Sequence, residues 1–392
     1  MIEKITLKNF KSHDDTTIEL GRVTAIVGPN GCGKSSVLRA LDLFSKAAQL
    51  PASSVFSDNY SPEQLLRKNS TGLSVTIQID DISLTLLSKI ALRLHWEAHF
   101  KLGEYIAPSS WNKTLFETLI EDEADRSKQD DLHTYHYRNV LKEQLPKLSP
   151  VFYLKATPEN LAKPSLPESA SLPIKENGSG LATMFSNIAL ANRKLADEIE
   201  KVLHEIVPPV TGVTTIPAKV QQTERKLLSV GNTQVEYDEK REITGFQLLF
   251  NTVGGERISA QAMSDGTLLS LALITLLYGA KDETQLFLFD DIETGLHPLA
   301  QIRLMKALKE FADKYDKQII VTSHSPYILD ALEPKDVWVM DTDKAGISHS
   351  KRLSDHPDIE HAMGVLTTGE AWSAEGEEWV YEVSEQPEEA HA

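Results

Sequence analysis

The segment Gly28–Ser36 reads GPNGCGKSS and matches the pattern G-x-x-x-x-G-K-[ST]. Its flanks give that pattern meaning. Val23–Val27 is a short apolar run of strand type, and from Ser36 to Ala48 the residues Val37, Leu38, Leu41 and Phe44 recur at helical spacing. The local order is therefore strand, glycine loop, helix. In that setting Gly28, Gly31 and Gly33 let the backbone wrap closely around phosphates, and the following helix adds its positive N-terminal end. Lys34 is expected to reach the β- and γ-phosphates of a nucleotide, and Ser35 to coordinate Mg2+.

The second half of such a site is found far downstream. LFLFDD is a fully apolar strand of the buried parallel type that ends in Asp290 and Asp291, so both carboxylates are delivered to one edge of a sheet. Asp290 is placed to hold Mg2+ and Asp291 to orient or deprotonate an attacking water. Glu293-Thr294-Gly295-Leu296-His297-Pro298 follows at once. A further apolar strand, Gln318–Val321, leads into Thr322-Ser323-His324-Ser325-Pro326, where His324 is a candidate γ-phosphate or water contact. Met263-Ser264-Asp265-Gly266-Thr267 opens a long apolar helix, which sets Ser264, Gly266 and free backbone N–H groups at a helix N-terminus suited to phosphate.

In this order the motifs resemble the ABC-type ATPases of the RecF, SMC and OLD group. The resemblance rests on LKNFKSH (Leu7–His13), GPNGCGKSS, SDGT as a variant signature, LFLFDDIETGLHP, TSHSP and GEAWSAEGEEWV. It implies an α/β fold, an ABC-type P-loop ATPase head with a mixed sheet and flanking helices, carrying an inserted, mainly helical lobe. By the same resemblance Asn30, Gly31, Gly33, Lys34, Ser35 and Ser36 contact ATP and Ser35 and Asp290 hold Mg2+. Asp291, Glu293 and His324 serve catalysis, with His324 as the switch histidine, and Ser264 and Gly266 of one head close over ATP held by another. The expected boundaries are 1–89 for the first half of the head and 90–245 for the lobe. The second half of the head follows at 246–375, and an acidic tail at 376–392.

The chain departs from the family at two points. Asp291 stands where glutamate is usual, one methylene shorter, so slow hydrolysis is expected unless Glu293 shares the work. For a glutamine loop, Gln78 and Gln144 are both candidates by region. Elsewhere, residues 73–87 alternate as strand, a charged helical segment runs to about Lys147, and Ile188, Leu195, Ile199, Val202 and Ile206 share the face of one amphipathic helix. Strands are expected near 227–237 and 243–250, and VFYLKA is one more.

Composition narrows the function. At 41% hydrophobic and 25% charged, the chain has the residues for a sizeable core. A net charge of −17 disfavours purely electrostatic binding to nucleic acid but leaves room for a local basic patch. The N-terminus has no signal-peptide pattern, and the apolar run Leu268–Leu277 falls short of the ~20 residues of a membrane helix. With Cys32 as its one cysteine, the chain suits a reducing compartment, and the expectation is a cytoplasmic protein with no membrane partner.

The leading expectation is an ATP-binding and hydrolysing switch that works as a homodimer or higher oligomer with a protein effector, nucleic acid remaining open as a target. Its size and lack of a long coiled coil resemble the stand-alone AAA-family ATPases of bacterial phage defence, which have no TOPRIM domain. Two alternatives compete. One is an OLD-like metal-dependent nuclease, for which Asp341-Thr342-Asp343 is the sole Asp-x-Asp after His324, although a turn after an edge strand explains it as well. The other is an assembly scaffold with little hydrolysis. A transporter's energising subunit predicts a short insertion and an LSGGQ-like signature, and this chain has a long middle region and SDGT.

Overall fold

The computed structural model describes residues 1–49, 62–80, 82–89, 95–102, 105–110, 150–167, 172–230 and 233–381. The chain starts with β1 (Lys4–Phe10), β2 (His13–Glu19), β3 (Val23–Val27), α1 (Lys34–Gln49), α2 (Pro62–Leu65), β4 (Gly72–Ile79) and β5 (Ile82–Lys89). Next come β6 (His95–Leu102), β7 (Tyr105–Ser110), β8 (Val151–Leu154), α3 (Pro158–Ala162), α4 (Leu181–Ala191) and α5 (Arg193–Ile206). Two long strands, β9 (Val210–Val230) and β10 (Thr233–Thr252), lead through β11 (Arg257–Ser259) to α6 (Asp265–Ala280). The last elements are β12 (Leu286–Phe289), α7 (Pro298–Tyr315), β13 (Gln318–Ser323), α8 (Pro326–Leu329), β14 (Val337–Thr342), β15 (Ser348–Arg352), α9 (Ile359–Ala362) and α10 (Thr368–Glu375).

Two compact units share these elements. The first takes Met1–Tyr153, Thr284–Ile292 and Leu308–Ala392. It holds an antiparallel sheet ordered β2-β1-β4-β5-β6-β7 and a mixed sheet ordered β15-β14-β3-β13-β12-β8. In the mixed sheet β14, β3, β13 and β12 run parallel and β15 pairs antiparallel with β14. Every residue of β3, β12 and β13 is buried, as expected of central parallel strands covered on both faces. By contrast β4 alternates buried with half-buried along its length, so one face of its sheet meets the core. Ile5, Leu7, Phe10, Ile26, Leu38, Leu41, Ile77 and Met340 pack into one cluster from both sheets and α1. Because the parallel strands run the same way, β3, β12, β13 and β14 deliver their C-terminal ends to one edge, where ligands of open α/β sheets bind.

The second unit takes Leu154–Glu283 and Glu293–Ala307. Its centre is α6, buried from Gly266 to Tyr278, a helix apolar on all sides and wrapped by neighbours. The strands β9 and β10 form one antiparallel hairpin, with β11 beyond β10.

Several expectations change. The amphipathic helix across 188–206 is two helices: Asn192 leaves helical geometry at φ −147°, its N–H ends α4 on the Ile188 carbonyl, and its side chain accepts from Leu195 N to start α5. The strands near 227–237 and 243–250 are parts of the long hairpin, and β2 is an additional strand. Within 90–245, expected to be mainly helical, the described residues hold strands β6 to β10 beside three helices. The boundary at 245 falls inside β10, and SDGT joins the second unit. Gly376–Tyr381, read as the start of the acidic tail, is folded in: Val380 is buried and the Trp379 carbonyl accepts from Lys351 Nζ at 2.8 Å. In the segment expected to run as charged helix to about Lys147, residues 95–102 and 105–110 are the strands β6 and β7; residues 111–149 with Gln144, and the tail from 382, lie outside the described residues. Among the described residues no helix is long and apolar enough to cross a membrane.

Candidate nucleotide site

The loop after β3 owes its shape to its glycines. Gly28, Gly31 and Gly33 have φ of 141°, 85° and 104°, a region costly for residues with a Cβ. A Cβ on Gly28 would lie 2.0 Å from the Met340 carbonyl oxygen, and one on Gly33 would lie 2.7 Å from both His13 Nε2 and Ser348 Oγ. Lys34 is buried, and its Nζ donates to the Gly28 and Pro29 carbonyls at 2.8 Å each, which fixes the ammonium over the loop. Asn30 and Gly31 are exposed on the rim, and Ser36 N closes the first turn of α1 on the Gly33 carbonyl at 2.8 Å.

His13 supports this loop from behind. Its Nε2 lies 3.2 Å from the Gly33 carbonyl and its Nδ1 lies 3.0 Å from Thr16 Oγ1. A carbonyl can only accept, so Nε2 carries the proton and Nδ1 accepts from the Thr16 hydroxyl. Burial lowers the His13 pKa to about 4, against the opposing pull of the Gly33 bond, so the ring is neutral near pH 7. Cys32 is buried 3.8 Å from Lys34 Nζ, and burial raises its pKa, which keeps it a thiol.

Asp290 follows β12 and is 5% exposed. Its Oδ1 accepts from Ser35 Oγ at 2.9 Å and from Thr322 Oγ1 at 2.5 Å, while its Oδ2 accepts from the Tyr153 hydroxyl at 2.9 Å. Ser35 and Asp290 thus set hard oxygen donors side by side, which fits Mg2+, and the glycine cradle with Lys34 fits phosphate. Asp291 adopts a left-handed φ of 56°, its N–H donating to Thr322 Oγ1 at 3.0 Å, and its Oδ1 lies 3.7 Å from His324 Nε2. Short polar side chains tolerate that backbone region better than longer ones, which gives a local reason for aspartate here.

The signature segment belongs to the second unit. Ser264 caps α6 in extended backbone, and its hydroxyl lies 2.7 Å from Thr267 Oγ1. A Cβ on Gly266 would lie 2.4 Å from the Gly295 carbonyl oxygen, and Gly295 itself has φ 69°. Glu293 begins this Gly295 turn, with Leu296 N bonded to its carbonyl at 3.0 Å. Of the expected site residues, the first unit contains Asn30, Gly31, Gly33, Lys34, Ser35, Ser36, Asp290, Asp291 and His324. Ser264, Gly266 and Glu293 fall in the second.

The sequence left several groups without a role. Tyr153 and Thr322 hold Asp290, and His13 holds the loop. Glu377 feels the charges of Asp341, Lys34 and His324, and burial is the main cause that raises its pKa. Gln78, a candidate for the glutamine loop, is in β4 with its amide donating to the Asp80 carbonyl. The Asp341-x-Asp343 pair does not end an edge strand, because β14 lies between β3 and β15. Asp343 is used in a turn: its Oδ1 accepts from Ala345 N and Ile347 N, and its Oδ2 meets His349 Nε2 at 2.9 Å.

Comparisons with known proteins agree with this fold. The OLD nuclease of Thermus scotoductus is 24% identical over 360 residues, covering 84% of this chain and 60% of that protein. Protein ea59 of Escherichia phage lambda is 31% identical over 108 residues, 27% of this chain and 20% of its own length. The chain therefore spans less than two thirds of these curated relatives. Among solved structures, the SMC head bound to the C-winged helix domain of ScpA superposes with a TM-score of 0.54 at 18% identity, covering 93% of this chain and 99% of that one. Residues 1–140 match the model of an AAA ATPase domain. Residues 109–330, more than half of the chain, match the model described as "AAA domain, putative AbiEii toxin, Type IV TA system", and the chain belongs to that family, an ABC-type ATPase of the RecF, SMC and OLD group.

Proposed function

We propose that this ATPase is a nucleotide-gated switch in which ATP, held by the phosphate loop of one copy, is closed over by Ser264 and Gly266 of a second copy. The observation that carries this reading is the Ser35–Asp290 pair at 2.9 Å beside a buried Lys34 fixed on its own loop. In the proposed roles Asn30, Gly31, Gly33 and Ser36 line the phosphates, Lys34 binds the β- and γ-phosphates, and Ser35 with Asp290 holds Mg2+. When bound, the metal supplies positive charge against the charge that builds on the phosphates. Asp291 orients the attacking water, His324 steadies Asp291 and the water, and Glu293 assists. Opening after hydrolysis drives a protein effector or a nucleic-acid transaction, in a setting such as phage defence or DNA repair. The nuclease named for the OLD relative and the toxin named in the family description support an effector or nucleic-acid role.

The test is size-exclusion chromatography with light scattering, with and without Mg-ATP, alongside phosphate release. Wild type is expected to hydrolyse ATP slowly, Lys34→Ala not to bind it, and Asp291→Asn to accumulate an ATP-bound dimer or larger assembly. Assembly and turnover that ignore both ATP and Lys34 would return the chain to the scaffold reading.

A further inference from the structure

The metal-holding carboxylate of the proposed site is held by a residue that no motif marks. Tyr153 ends the first segment of the first unit and lies in the edge strand β8, 4% exposed. Its hydroxyl donates to Asp290 Oδ2 at 2.9 Å. The opposite oxygen, Oδ1, receives Ser35 and Thr322, so the carboxylate plane is fixed from both sides. The tyrosine ring is itself clamped, with the Arg39 guanidinium of α1 at 4.3 Å from its centroid. Arg39 stands one helical turn beyond Ser35 on the same helix, so the element that carries one expected metal ligand also steadies the group that aims the other.

We propose that Tyr153 is a positioning residue for the divalent metal, acting through Asp290, and that Arg39 acts through Tyr153. This rests on the reading that Ser35 and Asp290 hold the cation. A buried ligating carboxylate needs its second oxygen satisfied and its plane set before the metal arrives, and groups in that outer position strongly tune metal affinity. The phenol does this as a neutral donor, adding no charge to compete with the cation. Metal-free nucleotide binding depends on the loop and Lys34, so loss of the hydroxyl leaves it intact.

The experiment measures Mn2+ binding by electron paramagnetic resonance to the full chain with a non-hydrolysable ATP analogue. It compares wild type, Tyr153→Phe, Arg39→Met and the double variant. Affinity of the same analogue is also measured in chelator. Tyr153→Phe keeps the ring under Arg39 and removes the hydroxyl alone. It is expected to weaken Mn2+ about tenfold or more and to leave the chelator affinity unchanged. Arg39→Met is expected to weaken Mn2+ less, and the double variant no more than Tyr153→Phe, the signature of two residues on one path. Wild-type Mn2+ affinity in Tyr153→Phe, or an equal loss in chelator, overturns the positioning role while leaving the nucleotide site standing. Failure of wild type to bind Mn2+ with the analogue overturns the metal reading and this role together.

Discussion

Two turns in this molecule put glycines just before or inside the first turn of a helix, the phosphate loop before α1 and the SDGT segment before α6, yet the glycines do different work. Gly28 and Gly33 have positive φ, and a Cβ there would strike the Met340 carbonyl, His13 and Ser348. Their loop is shaped as a cradle and backed by a buried neutral histidine. Gly266 has ordinary helical backbone, and it is glycine because the Gly295 carbonyl would lie 2.4 Å from its Cβ. The first loop is open at Gly31, where nothing lies within 4 Å of a Cβ, whereas Gly266 of the second is packed against Gly295. In the signature, then, glycine couples SDGT to the Glu293–Leu296 turn, so any ligand contact made there moves with that turn.

The sharpest way to break this contrast is at the loop. Lys34→Ala is expected to weaken a fluorescent ATP analogue by about a hundredfold or more, because a charge-assisted contact to phosphate is lost. If affinity survives, the cradle is not a phosphate site. Acid is the next lever. The His13 pKa falls from 6.5 to about 4 on folding, so the neutral ring contributes stability that is complete above pH 6.5 and lost as pH drops towards 4. The loss is on the order of 3 kcal/mol, read as the difference between wild type and His13→Gln in urea unfolding at a series of pH values. A difference independent of pH would remove His13 as the loop's backing.

Gly266→Ala should cost about 2 kcal/mol of stability by overpacking against Gly295 while leaving the nucleotide affinity of a single, unpaired copy unchanged. Equal losses of stability and nucleotide affinity would erase the distinction between the two turns. Thr367→Ala, which breaks the capping box of α10, should cost about 1 kcal/mol in thermal or urea unfolding and leave nucleotide affinity alone.

The parts of this fold legible in the sequence are those written in adjacent residues. The phosphate loop and the Asp290–Asp291 strand end are local patterns, and the apolar runs of β3, β12 and β13 announce burial on both faces. The long hairpin was only partly visible, since its strands carry charges satisfied across the pair, as Lys219 with Glu242, and alternate without a continuous apolar face. The break at Asn192 was hidden because apolar spacing continues on either side of it. Tyr153 gave no signal at all. Its role exists only once β8 joins the mixed sheet, and Asp290 lies 137 positions away along the chain.

The placement of β3 also bears on synthesis. Its neighbours in the sheet are β13 and β14, with Val23 beside Ile319 and Ala25 beside Val337. The phosphate loop therefore leaves the ribosome well before the strands that flank β3, and before the Met340 carbonyl that closes on Gly28. Pairings of such long sequence separation form late and slowly. Until those strands emerge, a nascent chain carries the nucleotide motif without the sheet that holds it, and an apolar strand waits unpaired beside it. That interval exposes the chain to aggregation and makes it a natural client for chaperones.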